Sequence, residues 1–286
     1  MRDRLEEILG FMKSTARISG AIMKTHWRKP LATRRKADRT IVSEVDLRIS
    51  QHVCQSIQQR FPSHALLTEE TYQEFKPAGR GFIIDELDGT QTYLRGEAGF
   101  TFQMAYFEDY DQLKIGLIYD PIEDLMTWCI KGQPAFISKN GFVQPLDYER
   151  NRTLDKLIYG HHRNRFNHTL WQIYQHLGVQ PRQIVSSGCI GSKALNLILG
   201  KFDAIIGPHR HIPVWDWAAG KVITEPLGLE FFHFNGEEPS IDEIHTPHPF
   251  GYVVCPSVHK QELLDHIQQA LNGKSNPHKM DALYVL

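Results

Sequence analysis

Cysteine is scarce, with four in 286 residues. Cys54, Cys129, Cys189 and Cys255 are scattered and form no Cys-x-x-Cys pair. That excludes a disulfide-stapled framework and points to reduced, mostly buried thiols in a cytoplasmic protein. An excess of one charge is also lacking. Lysine and arginine number 32 against 33 aspartates and glutamates, a formal net charge of −1. No global field therefore argues for nucleic acid or a membrane surface as partner. No run of about 18 apolar residues exists, which removes a transmembrane helix. The first residues, Met-Arg-Asp-Arg-Leu-Glu-Glu, are charged where a secretion signal needs an apolar core. Walker, Rossmann and His-Glu-x-x-His motifs are absent, as are internal repeats and low-complexity tracts.

What is present is an ordinary globular composition, 41% hydrophobic and 23% charged, long enough for one large domain or two lobes. Leu5, Ile8, Leu9, Met12 and Ala16 fall at helical spacing, which predicts an amphipathic helix to about His26. The basic stretch Arg34 to Thr40 has no apolar period and reads as a loop. Ser43 and Asp46 give the Ser-x-x-Asp signature of a second helix start, with Ile49, Val53 and Ile57 as its buried stripe and Pro62 at its end. Phe100, Phe102, Met104 and Tyr106 alternate with Thr101, Gln103 and Ala105, the period of a strand. Strands continue at 113–119, 125–130 and 135–138. The polar stretch Asp147 to Asn151 is the candidate boundary between an N-terminal α+β lobe (1–147) and a C-terminal α/β lobe (148–286). Past it, strands and helices alternate.

The stretch that organises the chain is Phe82-Ile83-Ile84-Asp85-Glu86-Leu87-Asp88-Gly89-Thr90. Three apolar residues read as a buried strand that ends in two acids. Carboxylates at the end of a buried strand need a cationic partner, and for oxygen ligands a hard ion such as Mg²⁺ suits. Gly89 and Thr90 open a turn whose backbone N–H groups favour an anion such as phosphate. Two other stretches have the same character. Ala65 to Thr71 is an apolar strand running into Glu69 and Glu70, and Val214-Trp215-Asp216-Trp217-Ala218-Ala219-Gly220 is an acid opening a helix. Any one of these acids alone, among 33, would pass for a surface group.

Together, the Glu-Glu pair, Asp-x-x-Asp-Gly-Thr and Trp-Asp-x-Ala-Ala-Gly resemble the inositol monophosphatase superfamily, Mg²⁺-dependent and typically lithium-sensitive phosphatases. The resemblance implies a layered α-β-α-β-α sandwich of the inositol monophosphatase and fructose-1,6-bisphosphatase type, of mixed α+β and α/β character. It implies two or three Mg²⁺ ions, with Mn²⁺ as a substitute and Li⁺ and Ca²⁺ as inhibitors, and a homodimer. Glu69, Asp85 and the Leu87 carbonyl would hold one ion; Asp85, Asp88 and Asp216 would hold another. Glu69, Asp46 and Thr90 would be the catalytic residues, with Thr90 and Asp46 orienting the attacking water, although Asp46 reads equally well as a helix-start residue. Gly236-Glu237-Glu238 spells the family's Gly-Glu-Glu better than Thr68-Glu69-Glu70 does, but no apolar strand leads into it. Lys36 reads as an exposed loop lysine. Glu86, where the family usually has proline, is expected to face solvent.

Gly89, Thr90, Gly191, Ser192, Lys193 and Arg210 are the expected substrate and phosphate contacts. Lys193 is closer to the 3′-phosphoadenosine 5′-phosphate phosphatase branch, where it, Arg210 and the His161-His162-Arg163 cluster would meet a second phosphate. A basic rim attracting any sugar phosphate is nearly as good a reading. The expectation is a phosphomonoesterase for a small phosphorylated metabolite of the inositol-phosphate type. Alternatives are a 3′(2′),5′-bisphosphate nucleotidase, a histidinol phosphatase or fructose-1,6-bisphosphatase, and a catalytically silent phosphate-metabolite binder.

Overall fold

A computed structural model describes residues 2–36, 40–71, 79–109, 112–148, 152–162, 168–208, 212–241 and 251–272. Helix α1 (Arg2–His26) buries the predicted stripe of Leu5, Ile8, Leu9, Met12 and Ala16. Strands β1 (Thr33–Arg35) and β2 (Ile41–Ser43) pair antiparallel, so the basic stretch read as a loop begins as one side of a short ladder. Helix α2 (Glu44–Arg60) starts at a complete capping box. The Ser43 hydroxyl accepts from the N–H of Val45 and Asp46, and the Asp46 carboxylate accepts from the Ser43 N–H at 2.8 Å. Such a cap contributes about 1 kcal/mol.

Seven strands then build the first sheet: β3 (Ala65–Thr68), β4 (Arg80–Asp88), and, after the short helix α3 (Thr90–Leu94), β5 (Thr101–Glu108) and β6 (Gln112–Asp120). They are followed by β7 (Leu125–Ile130), β8 (Phe136–Lys139) and β9 (Phe142–Pro145). Only β3 and β4 are parallel; from β4 onward the sheet is an antiparallel meander in chain order.

The second half alternates as expected: β10 (Tyr159–His162), α4 (His168–His176), β11 (Ile184–Ser187), α5 (Ile190–Ile198), β12 (Ala204–Gly207) and α6 (Val214–Thr224). Then come β13 (Leu229–His233), a strand the sequence reading missed, β14 (Tyr252–Pro256) and α7 (Lys260–Asn272). The second sheet has the order β11-β10-β12-β14-β13.

Alternation of side chains across each strand makes the layers. On β4, Phe82 and Ile84 pack with α1 and α2, whereas Ile83 joins the core formed with α5 and α6. That middle core also takes Ile205, Phe231, Tyr252 and Val254 from the second sheet, and the sheet's other face packs Ile206, Phe232 and Val253 against α4 and α7. The result is the α-β-α-β-α sandwich. Helix α6 lies so close on the first sheet that a Cβ at Gly116 of β6 would stand 2.3 Å from the Ala219 carbonyl oxygen. Among the described residues, no helix is long and apolar enough to cross a membrane.

Candidate metal and phosphate site

Strand β4 does not stop at Ile84, as its apolar run suggested, but continues through both acids to Asp88. In a regular strand, residues three apart point to opposite faces. Between Asp85 and Asp88 the pairing with β5 shifts register, an irregularity that turns the second carboxylate to the side of the first. Asp216 comes from the first turn of α6, where the positive end of the helix favours a carboxylate. One carboxylate oxygen from each of Asp85, Asp88 and Asp216 lies within 4.8 Å of the other two. Asp85 and Asp88 are buried and Asp216 is partly so.

Each of the three is held above the ordinary carboxylate range. For Asp85 the cause is burial first, then the charges of Glu69, Asp88 and Asp216; for Asp216 it is burial, then Asp88 and Glu69. Asp88 is raised by burial against several hydrogen bonds that favour its charge. Its Oδ2 accepts from the Gly191 N–H at 2.5 Å, Gln103 Nε2 at 3.0 Å and Thr101 Oγ1 at 3.1 Å. That oxygen is saturated, so the carboxylate is fixed in orientation. Three crowded carboxylates offering only oxygen are a donor set that fits a hard divalent cation. A hollow of about 400 Å³ lined by Arg4, Ser63, Arg80 and Glu108 lies at the far end of β4 and has no part in this chemistry.

Glu69 is not in the three-acid cluster. Its Oε1 accepts from Lys36 Nζ at 2.8 Å, and the same ammonium reaches Glu70 Oε1 at 2.8 Å. Lys36 is thus no free loop lysine. Burial works against its charge, but the two glutamates outweigh burial and hold it protonated. Burial pushes Glu69 up to about 7, against the opposing pull of Lys36. The competing pair is elsewhere: Glu237 accepts from Asn235 and Glu238 pairs with Lys221, both at the surface.

Thr90 and Asp46 meet directly. The Thr90 hydroxyl lies 3.0 Å from Asp46 Oδ1 and 3.2 Å from the Leu87 carbonyl oxygen, able to donate to either. Burial raises the Asp46 carboxyl to about 6, against hydrogen bonds from Ser43 and Thr90. Gly89 precedes the turn at φ +94°, a left-handed conformation that glycine adopts without strain, and no side chain caps α3.

Two expectations are corrected. Glu86 does not face solvent: it is 1% exposed, with neither carboxyl oxygen accepting a hydrogen bond. The hydroxyls of Ser50 and Thr68 flank it and temper its charge, yet burial pushes it up to about 8. Because β4 runs on, Glu86 shares the inward face of Phe82 and Ile84. Lys193 is not on a basic rim either. It sits in the first turns of α5, 1% exposed, with Nζ donating to Tyr252 Oη at 3.1 Å. Ser192 is buried beside Gly99 and Gly188. His161 is half-buried on β10. Arg210 and Arg163 lie outside the described residues.

The sequence reading missed Thr101, Gln103 and the Gly191 N–H as supports of Asp88. The signal was available for two of them, since Thr101 and Gln103 are polar residues at strand spacing in an otherwise apolar segment.

An oxygen-only acid cluster that could hold a cation, beside a hydroxyl-to-carboxylate pair and a glycine turn, suits metal-assisted phosphoryl transfer. The chain belongs to the inositol monophosphatase family, whose pattern it matches over residues 4–272. It is 25% identical over 260 residues to the inositol-1-monophosphatase of Bacillus subtilis, covering 89% of this chain and 94% of that one. It is likewise 25% identical over 231 residues to a fructose-1,6-bisphosphatase/inositol-1-monophosphatase of Thermotoga maritima, covering 80% and 86%. In fold it is similar to the Thermotoga maritima IMPase structure, with a TM-score of 0.79 at 21% identity, covering 93% of this chain and 99% of that one. Membership of this family makes the protein a phosphatase of small phosphorylated metabolites.

Proposed function

We propose that the protein is a Mg²⁺-dependent phosphomonoesterase whose substrate is a phosphorylated alcohol of the inositol-phosphate type. The observation that carries this reading is the convergence of Asp85, Asp88 and Asp216 next to the Thr90–Asp46 pair. The names of the Bacillus and Thermotoga relatives favour an inositol or sugar phosphate. Asp85, Asp88 and Asp216 would hold one divalent ion, and Glu69 with the Leu87 carbonyl a further one once Lys36 gives way. When bound, such an ion supplies Lewis acidity towards phosphoryl oxygens and lowers the pKa of water.

The chain's own groups do the rest. Asp46, at about 6, is mainly ionised at neutral pH and can take the Thr90 Oγ1 proton. Thr90 Oγ1 can then accept a proton from a water, a relay from water to hydroxyl to carboxylate. The Gly89–Thr90 turn receives the reacting phosphate, and the start of α5 at Gly191 and Ser192 borders the alcohol. Lys193, enclosed against Tyr252, is withdrawn from the role of contact to a second phosphate. Mn²⁺ as a substitute, inhibition by Li⁺ and Ca²⁺, a homodimer and a cytoplasmic location belong to the same proposal.

Phosphate release from inositol-1-phosphate, fructose-1,6-bisphosphate, histidinol phosphate and 3′-phosphoadenosine 5′-phosphate, with Mg²⁺ and with EDTA, tests it. The expected result is Mg²⁺-dependent release, fastest on the polyol or sugar ester. No Mg²⁺-dependent release from any ester would overturn the reading, and leave a silent binder in its place.

A further inference from the structure

Lys193 is a buried ammonium with one neutral hydrogen-bond partner. It is 1% exposed, its Nζ bonds Tyr252 Oη at 3.1 Å, and no ion pair with a carboxylate joins it among the described residues. A buried charge so placed is costly unless an opposite charge acts on it nearby. Two sources of that charge are open, a second anionic group of the substrate or the acid cluster itself.

The space decides between them. Tyr252 and Asp216 line one narrow crevice between α5, α6 and the second sheet, together with Ile190, Ala194 and Phe231. Lys193 itself is 1% exposed, so an anionic group of a bound ester finds no open path to its ammonium. The acid cluster, by contrast, is adjacent. Gly191, two residues before Lys193 on the same helix, donates its N–H to Asp88. The field of Lys193 is also felt at both Asp88 and Asp216, where it favours the ionised carboxylates.

We infer that Lys193 is the resident counter-cation of the Asp85–Asp88–Asp216 cluster, supplying part of the positive charge that divalent ions would otherwise provide and so weakening the hold on the ion there. This rests on the proposed metal-dependent reading. It makes Lys193 a tuning residue for metal affinity rather than a contact to substrate. The repulsion between a monocation and a divalent ion enclosed in neighbouring sites, screened at an effective dielectric between protein and water, amounts to roughly tenfold or more in affinity.

Mn²⁺ binding to the full-length, EDTA-stripped protein, followed by electron paramagnetic resonance and calorimetry at pH 8.5 in phosphate-free buffer, tests this without any substrate. Lys193→Met and Lys193→Gln should each bind Mn²⁺ about tenfold or more tightly than the unmutated protein, whereas Lys193→Arg, which keeps the charge, should bind as the unmutated protein does. Two neutral variants guard against one failing to fold, and circular dichroism reports folding for each. Equal Mn²⁺ affinity in charged and neutral variants overturns the inference and leaves the metal-dependent reading standing. Weaker binding in the neutral variants also overturns it, because Lys193 would then be organising the ligands. Absence of Mn²⁺ binding in every variant, the unmutated protein included, removes both.

Discussion

Replacing Glu86 by glutamine should stabilise the metal-free protein, and by an amount that depends on pH. Glu86 is 1% exposed, neither of its oxygens accepts a hydrogen bond, and the charges of Glu69 and Glu70 add to the burial that holds its carboxyl at about 8. In the unfolded chain the same group titrates near 4.5. Between those two values the folded protein keeps a proton that the unfolded chain has released, so stability falls as pH rises from 4.5 to 8. At about 1.4 kcal/mol per pH unit, the loss approaches 5 kcal/mol above pH 8 and vanishes below pH 4.5. Glutamine keeps the shape and cannot ionise. The comparison is made by urea unfolding in EDTA at pH 5 and pH 8.5, with intact folding checked by circular dichroism. Glu86→Gln should match the unmutated protein within about 1 kcal/mol at pH 5 and exceed it by several kcal/mol at pH 8.5, on the order of 10 °C in Tm. Asp46, also raised, slopes both curves alike and cancels in the difference, whereas Glu69 is relieved of the Glu86 charge in the variant, which widens the gap at pH 8.5 in the same direction. Parallel stability curves for the two proteins across this range would refute the reasoning.

Two further substitutions probe other levels. Asp88→Asn keeps three donors facing Oδ2 or its amide replacement but removes a charge from the cation site. It should abolish Mg²⁺-dependent phosphate release with an unchanged circular dichroism spectrum, and near-normal turnover would contradict the assignment of Asp88 as a ligand. Gly116→Ala sets a methyl 2.3 Å from the Ala219 carbonyl oxygen and should destabilise by roughly 3 kcal/mol, the upper end of overpacking effects. A urea midpoint equal to that of the unmutated protein would mean that α6 can lift off the sheet freely.

Much of the site was legible because its chemistry is written in short local patterns. Asp85 and Asp88 stand at the end of an apolar run, Asp216 opens a helix between tryptophans, and Ser43 with Asp46 forms the capping box that the structure contains. Less legible was everything that depends on where a strand ends. With β4 taken to stop at Ile84, Glu86 belongs to a loop and faces water. With β4 running to Asp88, the pleat puts Glu86 inside, and only the irregular pairing with β5 brings Asp88 round to Asp85. No residue type announces that irregularity. Lys193 was misplaced for a related reason. Helix α5 starts at Ile190, and its register turns Lys193 into the core. A long side chain can then carry its ammonium to Tyr252, a partner 59 residues away that no local reading connects to it.

The two misplacements, taken together, explain how one strand can hold so much buried acid. Strand β4 sends Asp85 and Asp88 towards α5 and α6, and Glu86 towards α2. Each side has one enclosed or half-enclosed lysine from outside the strand. Lys193 serves the Asp85–Asp88–Asp216 side, and Lys36 bridges Glu69 and Glu70 at the end of β3. Two ammonium groups cannot neutralise Asp46, Glu69, Glu70, Asp85, Glu86, Asp88 and Asp216. The remainder can be relieved by protonation, which is where the raised carboxyls of the metal-free chain come from, or by cations from solution. Cation binding would relieve this buried charge as well as serve the proposed chemistry, so a divalent ion should stabilise the protein even where no ester is turned over.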